Sequence, residues 1–298
     1  MKIGIIGLGD IAKKAYLPIV TQIAELDPYF CTRNEDVLKD LGAKYHVDKL
    51  YSSLDSLLEE DIEAAFVHAA SKAHYKIVKK LLENDIHVYV DKPITYHLEQ
   101  SKELINIARK KDLLLMTGFN RRYVPTYRSL LEINSPKIII MQKNRKLNPG
   151  NLRKVIMDDF IHVVDTIRYL YGDEDIESIE IDKIEENNSL KRVMITIKGS
   201  KNTAIGIMNR DNAITEETVE VMGFKKKRKI VNLTEVINYE DQGKNSSKVH
   251  GWNKMEYNRG FVDIIDRFIE LVKKDESKQS IMMADINTHK LCERIIAE

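Results

Sequence analysis

The stretch KIGIIGLGDIA, residues 2–12, constrains this chain more than any other part of it. Residues 2–6 form an apolar run that is too short for a helix and ends on a glycine, the pattern of a buried strand. A helix-spaced pattern opens at Asp10. The intervening Gly7-Leu8-Gly9-Asp10-Ile11-Ala12 fits Gly-x-Gly-x-x-Gly/Ala in the strand–turn–helix setting the pattern needs to carry meaning. Gly7 permits the tight turn, Gly9 lets backbone approach a pyrophosphate, and Ala12 allows close packing of helix on sheet. The helix start adds free N–H groups and a positive dipole end. A bound dinucleotide is therefore expected, with Gly7, Gly9, Asp10, Ile11 and Ala12 around its phosphates.

The alternation continues. Strand-like runs at 29–32, 64–70, 86–90 and 113–118 are separated by helical patterns at 10–26 (interrupted by Pro18), 35–41 (stopping at Gly42), 73–82 and from Leu98 onward. Strands alternating with helices specify a doubly wound parallel sheet over residues 1–118. The pattern changes after Gly118. A helix is expected at 125–132, a strand at 137–143 and a helix at 158–171 ending at Gly172. Five β-like runs then follow at 176–181, 192–198, 203–208, 218–222 and 229–233. The short turns GSKN and GFKK make hairpins of some of them, so 119–298 is expected to be an α+β domain with a large, mostly antiparallel sheet. Residues 240–251, polar with Gly and Ser, read as a loop. Helices at 260–274 and 284–297 close the chain. A length of 298 residues suits two domains.

Other features narrow the function. The formal net charge of +1 provides no field for nucleic acid or anionic lipid. KKKRK, residues 225–229, lies between strand-like runs and reads as a charged hairpin that discourages edge pairing. Cys31 and Cys292 make no disulfide framework and fit a reducing cytosol. Asp10 interrupts the N-terminal apolar run too early for a signal peptide, and no run approaches the ~20 residues that span a bilayer. A cytoplasmic protein without nucleic-acid or membrane partners is expected.

At the end of the second strand, where an NAD-binding chain places Asp or Glu for the ribose, stand Thr32, Arg33 and Asn34. No carboxylate repels a 2′-phosphate there, Thr32 can donate a hydrogen bond, and Arg33 can pair with phosphate or stack on adenine. NADP(H) is expected in preference to NAD(H).

Two further clusters bear charge. Asp91-Lys92-Pro93 follows the fourth strand, on the sheet edge where ligands of such folds sit. Asp158, His162 and Asp165 fall at i, i+4 and i+7 on one helix and so share a face. By itself that helix reads as a core helix with solvated acids.

In sequence order, GLGDIA, DKP after the fourth strand, GFNRRYVPTY after the fifth, and Asp-x-x-x-His-x-x-Asp on a second-domain helix resemble the Gfo/Idh/MocA oxidoreductases over nearly the whole chain. The resemblance implies a Rossmann domain, a C-terminal domain whose open sheet serves in homodimers or homotetramers, and a final helix returning to the first domain. It places the family's catalytic lysine at Lys92 and its Asp and His at Asp158 and His162. It puts Asp165, Asn120 and Arg122 at the substrate, and Ser71, His74, Asp91 and Lys92 beside the cofactor. Asp91 stands where the family has Glu, and Phe160 where it commonly has Gly.

The implied reaction is hydride transfer between nicotinamide and a secondary alcohol or ketone of a sugar, polyol or similar molecule. His162 would serve as base and Lys92 would stabilise the alkoxide; no metal is required. A cofactor-binding sensor without turnover and an NAD-dependent glycoside hydrolase are alternatives. The retained Lys92 and His162 argue against the sensor. Pro93 suggests a cis Lys92–Pro93 bond. Arg145, Lys146, Arg153 and Lys154 are read as a solvated basic loop, with an anionic substrate group as the alternative.

Overall fold

The computed structural model describes residues 1–172, 175–241, 243–249, 254–274 and 278–298. Two compact units divide them: Met1–Gly118 with Phe261–His289, and Phe119–Gly260 with Lys290–Glu298.

In the first unit β1 (Lys2–Ile6) leads into a π-helical turn, Ala12–Tyr16, and α1 (Leu17–Val20). Then come β2 (Asp27–Cys31), α2 (Glu35–Tyr45), β3 (Leu50–Tyr51), α3 (Leu54–Leu57) and β4 (Ala64–Val67). The series closes with α4 (Ser71–Glu83), β5 (His87–Val90), α5 (Leu98–Lys110) and β6 (Leu115–Thr117). The strands form one parallel sheet in the order β3-β2-β1-β4-β5-β6. β4 is buried at every position, which is why it reads as a continuous apolar run rather than an alternating one. α4 buries His74, Val78, Leu81 and Leu82, one face at helical spacing.

Three local expectations change. The first helix ends at Val20, not near residue 26, and Pro18 falls in the first turn of α1, where its missing N–H is tolerated. α2 runs through Gly42 and stops at His46, which takes the left-handed conformation at φ 56°. Gly42 serves closeness instead: a Cβ there would lie 2.9 Å from the Leu50 side chain. β3 and α3, at two and four residues, are too short to leave a periodic signal.

The second unit begins with a 3-10 turn (Asn120–Tyr123), α6 (Pro125–Arg128), a second 3-10 turn (Ser129–Glu132) and β7 (Ile138–Asn144). The helix expected at 158–171 begins earlier and is not uniform: α7 (Leu152–Val155) leads into a π-helical turn (Ile156–Phe160) and then α8 (Ile161–Tyr171). β8 (Ile176–Glu186), β9 (Ser189–Gly199), β10 (Thr203–Asn209), β11 (Glu216–Gly223), β12 (Lys226–Val231), β13 (Glu235–Glu240) and β14 (Gly243–Lys248) follow. Their order is β14-β13-β12-β11-β7-β10-β9-β8, with only β7 and β10 parallel.

α8 packs on β7 and β10, and Gly206 makes room for it, since a Cβ there would meet Val163 at 2.8 Å. The segment expected as a loop at 240–251 contains β14; residues 242, 250 and 251 lie outside the described ones. Its backbone pairs with β13 while every side chain is exposed, so no hydrophobic alternation marked it. KKKRK enters the β11–β12 hairpin, where Lys227 pairs with Glu220 and Arg228 with Glu132.

After α9 (Met255–Asn258), α10 (Phe261–Lys273) and α11 (Lys278–Ala297) end the chain. α10 and α11 through His289 belong to the first unit, and the rest of α11, from Lys290, to the second. Phe268 sits 5.1 Å from Phe66 between ring centroids, and Asp285 accepts from the Thr117 N–H at 2.8 Å.

Candidate functional site

The strand order of the first sheet reverses at β1 and β4, and the crevice beyond their carboxyl ends is where open α/β sheets bind ligands. A cleft of about 860 Å³ lies there, lined by Gly7, Gly9, Thr32, Arg33, Asn34 and His68 among others. Gly7 has φ +88°, and a Cβ on it would fall 2.5 Å from the Ala69 nitrogen; both facts demand glycine. A Cβ on Gly9 would meet nothing within 4 Å. Packing therefore does not require Gly9, whereas a ligand needing close approach of the backbone does. Ala12 is fully buried, as expected for helix–sheet contact.

The neighbouring positions sort differently. Asp10 pairs with Lys14 at 2.8 Å on the surface, and Ile11 is 40% exposed. Asn34 caps α2 by accepting from the Val37 N–H at 3.1 Å. Arg33 is exposed and has no carboxylate partner among the described residues. Ser71 opens α4 between Ala70 and Lys72, both of which line the cleft. Lys13, Lys72 and Lys76 bring further positive charge to its walls, which the sequence reading missed. Lys72 and Lys76 stand one turn apart on α4 and could have been found from that spacing.

His74 does not line the cleft. It is 1% exposed, and its two ring nitrogens lie 2.8 Å from the Pro93 and Ala69 carbonyls, so it braces the loop that carries Lys92. The Lys92–Pro93 bond is cis, as expected. The Ile94 N–H donates to His289 Nε2 at 3.0 Å, fixing the next residue of that loop.

Asp91 is held by two partners: His68 Nδ1 at 2.9 Å and the Tyr16 hydroxyl at 2.7 Å, with Tyr16 in turn 2.8 Å from the Tyr89 hydroxyl. Burial alone would raise the Asp91 pKa, but His68 and Tyr16 outweigh it and hold the carboxyl below its ordinary value. The Tyr16 and His68 rings lie with centroids 3.8 Å apart, tilted by 31°. His68 Nε2 is buried, has no hydrogen-bond partner among the described residues, and its residue lines the cleft. His68 was not singled out by sequence because it ends an apolar strand and matches no motif. A cleft with a demanded Gly7, an unencumbered Gly9 and an unpartnered buried ring nitrogen fits a dinucleotide.

In the second unit Asp158 lies in the π-helical turn and His162, 7% exposed, in the first turn of α8. The π turn adds a residue to that stretch, so i, i+4, i+7 spacing on a regular helix no longer describes Asp158 relative to His162 and Asp165. Asp165 is 1% exposed and receives the Arg122 guanidinium through Nε at 3.0 Å and Nη2 at 2.5 Å. The structure thus pairs two residues that the resemblance put at the substrate. Asn120 is buried, donates to the Arg259 carbonyl at 2.9 Å and accepts from Arg121, a brace for the turn.

A network absent from the sequence reading lies beside Asp158. Arg121 makes a two-pronged pair with Glu217 at 3.0 and 2.9 Å. Tyr127 donates to Glu217 at 2.8 Å. Asp159 receives Arg145 at 2.7 and 2.5 Å, Arg210 at 2.8 Å and Lys143 at 3.2 Å. The basic loop is consequently not solvated throughout: Arg145 turns inward to Asp159, and Arg153 pairs with Glu293 at 2.8 and 2.7 Å. Burial raises both acids' proton affinity, but Arg145 and Lys143 at Asp159, and Arg121 and Lys143 at Glu217, pull each well below the carboxylate range. Burial first, and then Arg121, push the Lys143 amine down to about 7.

That shift has a consequence for stability. An unfolded lysine holds its proton to about pH 10.4, so between pH 7 and 10 the unfolded chain binds more protons at residue 143 and stability rises with pH. Lys143→Met is expected to flatten that rise. Urea unfolding of both proteins at pH 7.5 and 9.5 checks it; parallel changes would contradict the assignment.

Comparison with known proteins supplies the family context. Residues 1–119 match the model "Oxidoreductase family, NAD-binding Rossmann fold", and residues 125–242 match "YceM-like, C-terminal domain". The chain is 31% identical to YceM of Salmonella typhimurium over 289 residues, covering 92% of this chain and 90% of that one. It is 25% identical to the myo-inositol 2-dehydrogenase of Thermotoga maritima over 300 residues, covering 93% and 89%. A crystal structure of a Gfo/Idh/MocA family oxidoreductase from Vibrio cholerae, 25% identical, superposes with a TM-score of 0.93 over 100% of this chain and 98% of that one.

Proposed function

Because the chain belongs to the Gfo/Idh/MocA oxidoreductases and carries their NAD(P)-binding Rossmann domain, we propose that it is an NADP(H)-preferring dehydrogenase or reductase of a polyol or sugar-like molecule. The observation that carries this is the switch-point cleft, with its bare Gly9 and the Lys92 loop on the next strand but one along the sheet. Likeness to a myo-inositol 2-dehydrogenase supports the substrate class.

The bound nicotinamide supplies hydride chemistry. The protein's share is to position and to manage protons. Gly7, Gly9 and the helix start hold the phosphates, and Thr32 and Arg33 receive the 2′-phosphate. Lys92, as a cation, donates to the substrate oxygen and stabilises alkoxide charge as it develops. His162 accepts the hydroxyl proton, and Asp158 binds a neighbouring hydroxyl or orients the imidazole. His68, anchored by Asp91, offers Nε2 to the bound cofactor.

Arg33→Ala is expected to weaken NADPH binding at least tenfold and NADH binding less than twofold, read by fluorescence titration. Equal NADPH affinity in the two proteins would remove the NADP preference. Assembly through the second sheet is also proposed. On the face away from α8, Ile140, Ile205, Ile207 and Met194 form a half-buried apolar centre flanked by Glu180, Asp182 and Glu220. Ile205→Asp with Ile207→Asp is expected to reduce the molar mass by light scattering to that of one chain. An unchanged mass would contradict this interface.

A further inference from the structure

The second unit contains a cavity of about 170 Å³ lined by Arg121, Lys143, Arg145, Glu216, Glu217 and Arg259, with Thr215, Asn232 and Leu233. All of these residues belong to that unit. Charge does not balance around it. Five cations, Arg121, Lys143, Arg145, Arg210 and Arg259, face three carboxylates, Asp159, Glu216 and Glu217.

The carboxylates are already engaged. Both oxygens of Glu217 go to Arg121, and one also takes the Tyr127 hydroxyl. Asp159 serves Arg145, Arg210 and Lys143. Glu216 accepts from Asn144 at 3.0 Å and Asn212 at 3.4 Å.

Donors remain on the cationic side. Arg145 spends Nε and Nη2 on Asp159, and its Nη1 has no acceptor among the described residues. The Arg259 guanidinium has no hydrogen-bond or ion-pair partner among them either. Lys143, 5% exposed at its side chain, has its amine 3.2 Å from Asp159 and 3.8 Å from Glu217, which leaves protons to share. Buried charges are stable when paired, and a surplus of cations around a cavity is relieved by an anion within it. Burial first, and then the neighbouring Arg121 and Arg145, hold the Lys143 amine below its ordinary value.

We infer that this cavity binds the anionic group, carboxylate or phosphate, of a small molecule, through Lys143, Arg145 and Arg259. As a subsite for the substrate this rests on the dehydrogenase reading, because Asp159, the partner of Lys143 and Arg145, adjoins Asp158 in the chain. As an anion site it does not depend on that reading. The cavity, about 170 Å³, accommodates a carboxylate or phosphate group. The substrate class becomes an acidic or phosphorylated polyol rather than a neutral one.

The test uses the full chain saturated with NADPH, so that added anions cannot occupy the cofactor cleft. Calorimetric titration with inorganic phosphate and, separately, malonate distinguishes the two ligand chemistries. At least one is expected to bind, and Arg259→Gln and Lys143→Met are each expected to weaken it tenfold or more. Lys154→Gln, which removes an exposed charge outside the cavity lining, is expected to change binding less than twofold.

Failure of both anions to bind, or an equal loss in Lys154→Gln, overturns the site. A turnover screen of neutral polyols beside sugar acids and sugar phosphates separates the two readings. Anion binding that Arg259→Gln abolishes, with no turnover of any compound, removes the dehydrogenase and keeps the anion site. Turnover of neutral polyols unaffected by Arg259→Gln, with no anion binding, does the reverse.

Discussion

Lys92→Met is expected to lower kcat/KM by about 10²–10³, the cost of removing one donor to a developing oxyanion, with NADPH affinity within about threefold of wild type. The separation follows from where the side chain sits. Lys92 stands beyond the end of β5, on the loop braced by His74 and His289, whereas the glycine turn and Arg33 belong to β1 and β2. His162→Asn is expected to cost about 10²–10⁴, the range for general acid–base groups, and to remove the acidic limb of the pH–rate profile. Initial rates on a substrate identified by screening, together with NADPH fluorescence titration, measure both. A Lys92→Met enzyme within threefold of wild-type turnover would remove the lysine from the mechanism.

Gly7→Ala and Gly9→Ala are expected to diverge although they alter the same motif. At Gly7 the new Cβ would fall 2.5 Å from the Ala69 nitrogen and 2.7 Å from its Cα, in a backbone that cannot yield as a side chain could, and at φ +88°. Strain of this kind costs on the order of 1–3 kcal/mol each for conformation and overpacking, so Tm falls by roughly 5–10 °C. At Gly9 there is nothing within 4 Å, so Tm moves by no more than about 1–2 °C. Both variants lose NADPH affinity at least tenfold. Thermal unfolding without cofactor and fluorescence titration with it separate folding from binding. Equal destabilisation by the two substitutions would mean that Gly9 is a packing glycine and not a ligand-facing one.

The residues differ in how visible they were. Gly7, Gly9 and Ala12 were legible because each answers a local requirement, a positive φ, a bare backbone or a small buried side chain, and local requirements leave a mark at fixed spacing. The parallel sheet was legible for a similar reason: strands buried on both faces give short unbroken apolar runs. β14 was not, since a fully exposed edge strand is specified by backbone pairing alone. His74 and Asn120 matched motif positions, yet their side chains turned out to bond to backbone carbonyls. A motif reports which residue stands at a position, not which way its side chain is drawn.

By itself, the sequence determined the glycine turn between the first strand and its helix, and the change from parallel to mostly antiparallel sheet after Gly118. Both follow from residue type and spacing along one segment. Only the tertiary structure decided that Asp165 is paired with Arg122, that Asp91 is held between His68 and Tyr16, and that Arg121, Lys143, Arg145 and Glu217 share one buried cluster. The physical reason is the separation along the chain. Arg121 and Glu217 lie 96 residues apart, and Arg122 and Asp165 lie 43 apart. Each is an ordinary surface residue by composition. What makes it a buried ion is the sheet and helix that close over it, and no short window of sequence contains both partners.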